Sequence, residues 1–361
     1  MDDTTKMVQV ATVVRVGVDS SKRYMQVHGV DAQERVVFAK AIRREEFLAF
    51  AAQLPPCVMG LEACSASHYW ARKLKELGHE PRVMAAEHVA PYRKSRKGKN
   101  DANDAEAICE AAGRANMRWV TLKSEEQQSV LTLHRLRAGL VEERTGMMNR
   151  IRGILAEFGL WVAQTPDKLA AWLGKEAQSL EGLPILARQG IVIAREHWRE
   201  LDRRIGELDA MIVETNKSSE SAKRLQKMVG VGSMTASAVV ASIVDGKQFA
   251  NGRGFAASLG VVPSQHSTGG KTVLGRITHR GDGYLRHLLV QGARSALVAA
   301  QRRKPEKLTR LERWMLELNA RVGYQKTLVA IANKHARIIW AVLAKGEAYD
   351  PQHGQGQPAA D

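Results

Sequence analysis

Four acidic residues in the first third of the chain carry the chemistry to hold a hard divalent cation: Asp19, Glu62, Asp101 and Asp104. Asp19 closes the apolar run Val13-Val14-Arg15-Val16-Gly17-Val18, and Glu62 closes a second, Cys57-Val58-Met59-Gly60-Leu61. Asp101 and Asp104 stand three apart in Asn100-Asp101-Ala102-Asn103-Asp104-Ala105, at the start of a helix-forming stretch. Mg²⁺ takes oxygen ligands from a few carboxylates and keeps positions open for phosphate, so two strand-end acids and a helical pair suit it. The competing reading is local. Asp101 or Asn100 would be a helix cap, Asp104 a first-turn acid favoured by the helix dipole, and Asp19 a turn cap. Glu62 resists that reading, because an acid placed just before Ala63-Cys64-Ser65 falls at the open end of a sheet.

The elements that must position these acids follow from the hydrophobic pattern. Strands are predicted at residues 13–19, 24–30 and 35–40, close enough together for an antiparallel meander. A helix follows at 45–53, then a strand at 57–62. A second helix at 67–77 is closed by Gly78, which suits the left-handed position after a helix end, and a short strand covers 81–85. Three meander strands followed by alternating helix and strand is the order of an RNase H-like α/β fold. Its first and fourth strands lie side by side and carry acids at one level, the positions that Asp19 and Glu62 fit. Arg93-Lys94-Ser95-Arg96-Lys97-Gly98-Lys99 then leads into the helical acids. A run of like charge is ordinarily a solvated loop, but beside metal ligands Arg93, Lys94, Arg96, Lys97 and Lys99 read as phosphate contacts.

The whole chain has 54 Lys and Arg against 38 Asp and Glu, a formal net charge of +16 over 361 residues. That excess calls for a polyanionic partner and says nothing of fold. Membrane lipid is the rival polyanion, but no apolar stretch is read as approaching the roughly 20 residues that span a bilayer. The segment Met1-Asp2-Asp3-Thr4-Thr5-Lys6 has no signal-peptide core, and Cys57, Cys64 and Cys109 lack metal-ligand spacing. Buried, reduced cytoplasmic thiols are the expectation. His28, His68, His134 and His287 are read as structural and partnerless, and the dispersed tryptophans as core or interface.

Four parts are expected: 1–123 with the acids, a helical coiled-coil arm at 124–220, a mainly α domain at 221–345, and a disordered Gly/Gln/Pro tail at 346–361. In the arm, Val130, Leu133, Leu136, Leu140, Met147 and Ile151 form one apolar face, and Ile191, Trp198, Leu201, Ile205, Leu208 and Ile212 the other. Two long antiparallel helices would bury both stripes, with a turn-bearing region between. At 225–236, Gly230-Val231-Gly232 joins two helices in a helix-hairpin-helix. Such a turn either contacts phosphate through free N–H groups or simply packs helices. A flexible basic loop follows, with Ser264, Ser267, Thr268, Lys271, Arg276, His279 and Arg280, able to set an alcohol beside a phosphate.

These pieces together resemble the insertion-sequence transposases of the DEDD type, the insertion sequence 110 family and its 1111-like subgroup. The resemblance spans nearly the whole chain. It rests on Val16-Gly17-Val18-Asp19, Gly60-Leu61-Glu62-Ala63, Asn100 to Ala105, Met228-Val229-Gly230-Val231-Gly232, Leu259-Gly260-Val261-Val262-Pro263, Ser267-Thr268-Gly269-Gly270-Lys271 and Arg280 to Arg286. It implies an RNA-guided DNA recombinase with a RuvC-like domain, in which a bridge RNA pairs with element and target DNA. It also implies four Mg²⁺-binding acids, here Asp19, Glu62, Asp101 and Asp104, and a serine that forms a covalent link to DNA. Composite sites in a dimer or tetramer would follow.

Ser267 matches the serine, with Thr268 one residue away and Ser264 more distant; Lys271, Arg276 and Arg280 would clamp phosphate. A primary alcohol attacks phosphorus with less hindrance than a secondary one, which favours Ser267. The alternatives are a metal-dependent nuclease or junction resolvase without a covalent intermediate, and a non-catalytic nucleic-acid-binding protein. A sugar kinase or actin-like ATPase would need glycine-rich phosphate loops after later strands, and none stands there.

Overall fold

The computed structural model describes residues 12–93, 101–175, 180 and 182–351, and the chain divides into two compact units at Lys123/Ser124. In the first unit, strands β1 (Arg15–Ser20), β2 (Tyr24–Val30) and β3 (Val36–Arg43) form the meander. Helix α1 (Phe47–Ala51), strand β4 (Val58–Glu62), helix α2 (Ser67–Glu76), strand β5 (Glu80–Met84), the short helix α3 (Ala86–Val89) and helix α4 (Asp101–Ala112) follow. The sheet order is β3-β2-β1-β4-β5. β1 runs antiparallel to β2 and parallel to β4, with Gly17 opposite Gly60 and Val18 opposite Leu61.

β1 is central, and Val16 and Val18 are fully buried, as a strand covered on both faces requires. Phe47, Trp70, Ala71 and Leu74 cover one side of the sheet. α4 packs on β1 and β4 through small residues, Ala105, Ala107, Ala111 and Ala112. At Gly17 a Cβ would lie 2.1 Å from the Ala105 carbonyl oxygen, and at Gly60 one would lie 2.7 Å from Ala112 Cβ. The paired glycines therefore let the helix backbone rest almost directly on the strands, something no side chain would permit.

The second unit begins with helix α5 (Glu125–Glu157), started by a capping box of Ser124 and Gln127. Helix α6 (Pro166–Lys175) occupies what the sequence reading left as a turn region, with Pro166 at its first position. Helix α7 (Ile185–Lys217) then returns beside α5. Arg137 pairs with Asp209 and Arg144 with Asp202, so seven residues forward on α5 match seven backward on α7, an antiparallel register. Met148, Ile151 and Leu155 meet Leu169, Leu173, Ile191 and Trp198 in a cluster of their own.

The buried line of α5 is Leu131, His134, Met148, Ile151 and Leu155, one residue round from much of the expected stripe, and Leu136 is 55% exposed. The shift has a local cause. His134 is buried with both ring nitrogens bonded, so a residue scored as polar belongs to the core face.

Helices α8 (Glu220–Leu225), α9 (Ser233–Ser242) and α10 (Gly252–Ser258) lead to strands β6 (Pro263–Thr268) and β7 (Lys271–Ile277). Helices α11 (Gly283–Arg302), α12 (Arg310–Val322) and α13 (Tyr324–Lys345) complete the helical core. The turn between α8 and α9 is of the packing kind at Gly230. There φ is +86°, and a Cβ would lie 2.4 Å from the carbonyl oxygen of Gly292 on α11. α13 corrects the reading that no apolar stretch approaches bilayer length, because its 22 residues are long and apolar enough to cross one. Its apolar face instead lines this core, through Leu328, Ile331, Ala332, Ile339 and Val342.

Candidate catalytic sites on the two units

Asp19 leaves the end of β1 half-buried, and Glu62 ends the parallel neighbour β4. Asp101 and Asp104 lie in the first turn of α4, which the glycine pair seats against those strands; Asp104 is only 7% exposed. The four acids share one neighbourhood. The Asp19 carboxyl is pushed up to about 6, first by burial and then by the negative charges of Asp104, Asp101 and Glu62, with Arg93 opposing. Repulsion from three carboxylates means that ionising Asp19 invites a cation, and an all-oxygen donor set suits a hard divalent ion.

The acids are not closed around a point, however. Among the described residues no three His, Cys, Asp or Glu side chains are grouped to hold a metal ion. A guanidinium lies among them instead. Arg93 Nε is 2.7 Å from Asp104 Oδ1, and Arg93 Nη2 donates to Glu62 Oε2 at 3.2 Å. Arg93, read from sequence as a phosphate contact, is here an ion-pair partner of two expected metal ligands. Lys94, Arg96, Lys97 and Lys99 of the same basic run lie outside the described residues, as does 352–361 of the tail. Cys64 also departs from expectation: it is exposed, beside Ser20 Oγ at 3.3 Å, while Cys57 and Cys109 are buried.

Ser267 belongs to the second unit. Its surroundings form a β-hairpin where a flexible loop was expected. Gly269 (φ +57°) and Gly270 (φ +77°) make the two-residue turn with both central residues left-handed, which matches the twist of the strands. The register pairs Ser267 with Thr272 and Thr268 with Lys271. Alternation along a strand then puts Ser267 on the face of Gln265, Thr272 and Leu274, and Thr268 on the face of His266, Lys271 and Val273. Gln265 Nε2 donates to Ser267 Oγ at 2.7 Å. Ser264 is half-buried against Gly275, where a Cβ would lie 2.5 Å from its Oγ. Ser267 and Thr268 are both exposed, and Lys271, opposite Thr268, lies on the other face of the ribbon from Ser267.

The base of the hairpin explains the Arg280 to Arg286 motif. Gly281 (φ +68°) comes so near Ser258 that a Cβ would lie 1.8 Å from its carbonyl oxygen. Asp282 caps α11 by accepting from the Tyr284 and Leu285 N–H groups. Arg286 Nη1 donates to the Arg280 and Leu259 carbonyls at 2.8 and 3.0 Å. Arg276 and Arg280 are exposed beside this base.

The sequence reading passed over His134 as partnerless. Its Nδ1 is 3.0 Å from the Tyr284 hydroxyl and its Nε2 3.0 Å from Ser237 Oγ, and burial lowers its pKa to about 4. Arg137, paired with Asp209, lies near the Tyr284 hydroxyl. A polar contact thus ties α5 and α7 to α9 and to the first turn of α11.

Comparisons with known proteins find matches in both units. Residues 16–159 match a family described as "Transposase", the DEDD type, and residues 222–308 one described as "Transposase IS116/IS110/IS902 family". A "Probable family 20 transposase" of Pseudomonas aeruginosa is 43% identical over 93% of this chain and 98% of its own. The transposase for insertion sequence element IS1111A of Coxiella burnetii is 38% identical over 92% and 90%. That for IS1328 of Yersinia enterocolitica is 36% identical over 93% and 98%. The chain is therefore a transposase of an insertion sequence, an enzyme that acts on DNA. It belongs to the IS116/IS110/IS902 family.

Proposed function

We propose that this transposase cuts and rejoins element and target DNA through a covalent phosphoserine, under the guidance of an element-encoded bridge RNA. The first unit, 1–123, is then an RNase H-like, RuvC-like domain, a reading supported by the β3-β2-β1-β4-β5 order and the parallel β1–β4 pair. Asp19, Glu62, Asp101 and Asp104 hold Mg²⁺. When bound, it neutralises phosphate oxygens and stabilises the leaving oxygen. The observation that carries this is that Asp19 and Glu62 end the paired parallel strands β1 and β4 while Asp101 and Asp104 open the helix packed on them.

Ser267 is the nucleophile on the second unit. Its Oγ forms the bond to phosphorus while the bridging P–O bond of the DNA breaks, and the leaving oxygen ends as a free hydroxyl once protonated. The phosphoserine keeps the bond energy, so a second DNA hydroxyl can reverse the exchange without ATP. Lys271, Arg276, Arg280 and the basic run from Arg93 to Lys99 bind nucleic-acid backbone. Base pairing by the RNA selects the sites. The helical arm at 124–220 presents the 221–345 domain to a neighbouring copy in a dimer or tetramer. The chain is then a member of the 1111-like subgroup, a reading supported by its similarity to the IS1111A transposase.

A trapping assay tests the chemistry. Protein, flanking-region RNA, labelled donor and target DNA and Mg²⁺ give a protein–DNA adduct on a denaturing gel. Ser267→Ala and Asp19→Ala lose it. Loss only in Thr268→Ala moves the nucleophile by one residue. Metal-dependent cleavage with no adduct in any lane makes the protein a nuclease of the same fold.

A further inference from the structure

Two carboxylates of the first unit are paired with a cation that the chain itself supplies. Arg93 bridges β4 and α4, with Nε on Asp104 and Nη2 on Glu62, and stands at the edge of the site, about one third exposed. Guanidinium and metal require the same oxygens, since a carboxylate oxygen committed to a charge-assisted hydrogen bond presents less charge to an ion. Among the described residues no three acids are grouped for one ion.

From this geometry we infer that Arg93 is a resident counter-charge that competes with the divalent cation, and that a DNA phosphate draws it off. The inference rests on the four acids being cation ligands. Arg93 neutralises part of a four-carboxylate cluster that would otherwise repel itself. A phosphodiester brought to the site offers the guanidinium a second anion of matching fork geometry. Once Arg93 turns to the phosphate, Glu62 and Asp104 are released to the cation. Cation and DNA then bind with positive coupling, and each strengthens the other by the same factor.

The test is Mn²⁺ titrated into the full-length chain, with free Mn²⁺ read by electron paramagnetic resonance, with and without a short duplex. In the unsubstituted protein the duplex tightens Mn²⁺ binding. Arg93→Ala tightens Mn²⁺ about ten-fold without DNA, the scale of one charge-assisted contact, and the duplex adds little more. Arg93→Gln, which retains hydrogen-bonding groups but no charge, behaves as Arg93→Ala, and equal melting temperatures show that both fold. Equal or weaker Mn²⁺ binding in both variants overturns the inference while the carboxylate site stands. Undiminished Mn²⁺ binding in Asp19→Asn removes the carboxylate site itself, and the inference with it.

Discussion

At the scale of single residues, the placement of the acids works against stability, as the cation site proposed for them requires. Asp19 is ionised near neutral pH only against the repulsion of three neighbours and partial burial. Asp19→Asn should therefore abolish the adduct and yet raise the stability of the metal-free protein by about 1 kcal/mol at pH 7.5, after discount for solvent screening. Differential scanning calorimetry decides this, and a lowered melting temperature would refute it. The hairpin register sharpens the choice of nucleophile. Ser267 and Thr268 face opposite sides of the ribbon, so one of the two alanine variants should retain nearly all adduct formation in the trapping gel. Equal partial losses would argue against a single nucleophile. The acids were legible in the sequence because each ends an apolar run or opens a helix. The role of Arg93 was not, because the meeting of β4, α4 and the residues before it is set by long-range packing.

At the scale of elements, the glycines of β1 and β4 decide where the helical acids sit. Gly17→Ala would force a methyl into the backbone of α4, beside the Ala105 carbonyl and the Cys109 N–H. It should destabilise the first unit by about 2–3 kcal/mol, as overpacking of a tight core does. Thermal melting measures the loss, and divalent-ion affinity should fall with it. The pattern exposed Gly17 and Gly60 only as strand residues, because hydrophobic period shows which face is buried and not how near the covering helix comes. The hairpin was missed for a related reason. Ser, Thr, Gly and Lys alternate with no buried face, and Val273 and Leu274 are both about 60% exposed, so the period-two signal of a half-buried strand is absent.

At the scale of the whole molecule, two buried histidines and an excess of positive charge set the response to solution conditions. Burial lowers both His134 and His335 to about 4. Their ordinary value is 6.5, so between about 6.5 and 4 the unfolded chain takes up protons that the folded chain refuses. The stability they contribute is complete above 6.5 and is lost as pH falls through that window, by up to about 3 kcal/mol for each. Urea titrations at pH 7.5 and 5 should show the drop, and His134→Gln should reduce it. With a net charge of +16, non-specific DNA binding should weaken steeply with salt, linearly on logarithmic axes. Lys271→Gln or Arg276→Gln should flatten that slope by about one unit if each neutralises one phosphate, as anisotropy titrations would measure. The division into an acid-bearing first part and a helical remainder could be read from composition and period, because strands and helices differ in exactly that signal. The polar tie at His134 could not, since its two partners, Ser237 and Tyr284, come from helices far from it in the chain.

The ribbon that carries Ser267 stands on two strands and a glycine turn, with nearly every side chain in water. Such a pair has almost no free energy of its own, and a two-stranded hairpin is marginal without a third layer. Its shape in the free enzyme is therefore loaned by whatever lies against it. If Ser267 is the nucleophile proposed above, its effective molarity rises when nucleic acid or another surface stills the ribbon. Under the mechanism proposed above, that looseness is a safety catch: the free protein is the form least able to hold its serine steady.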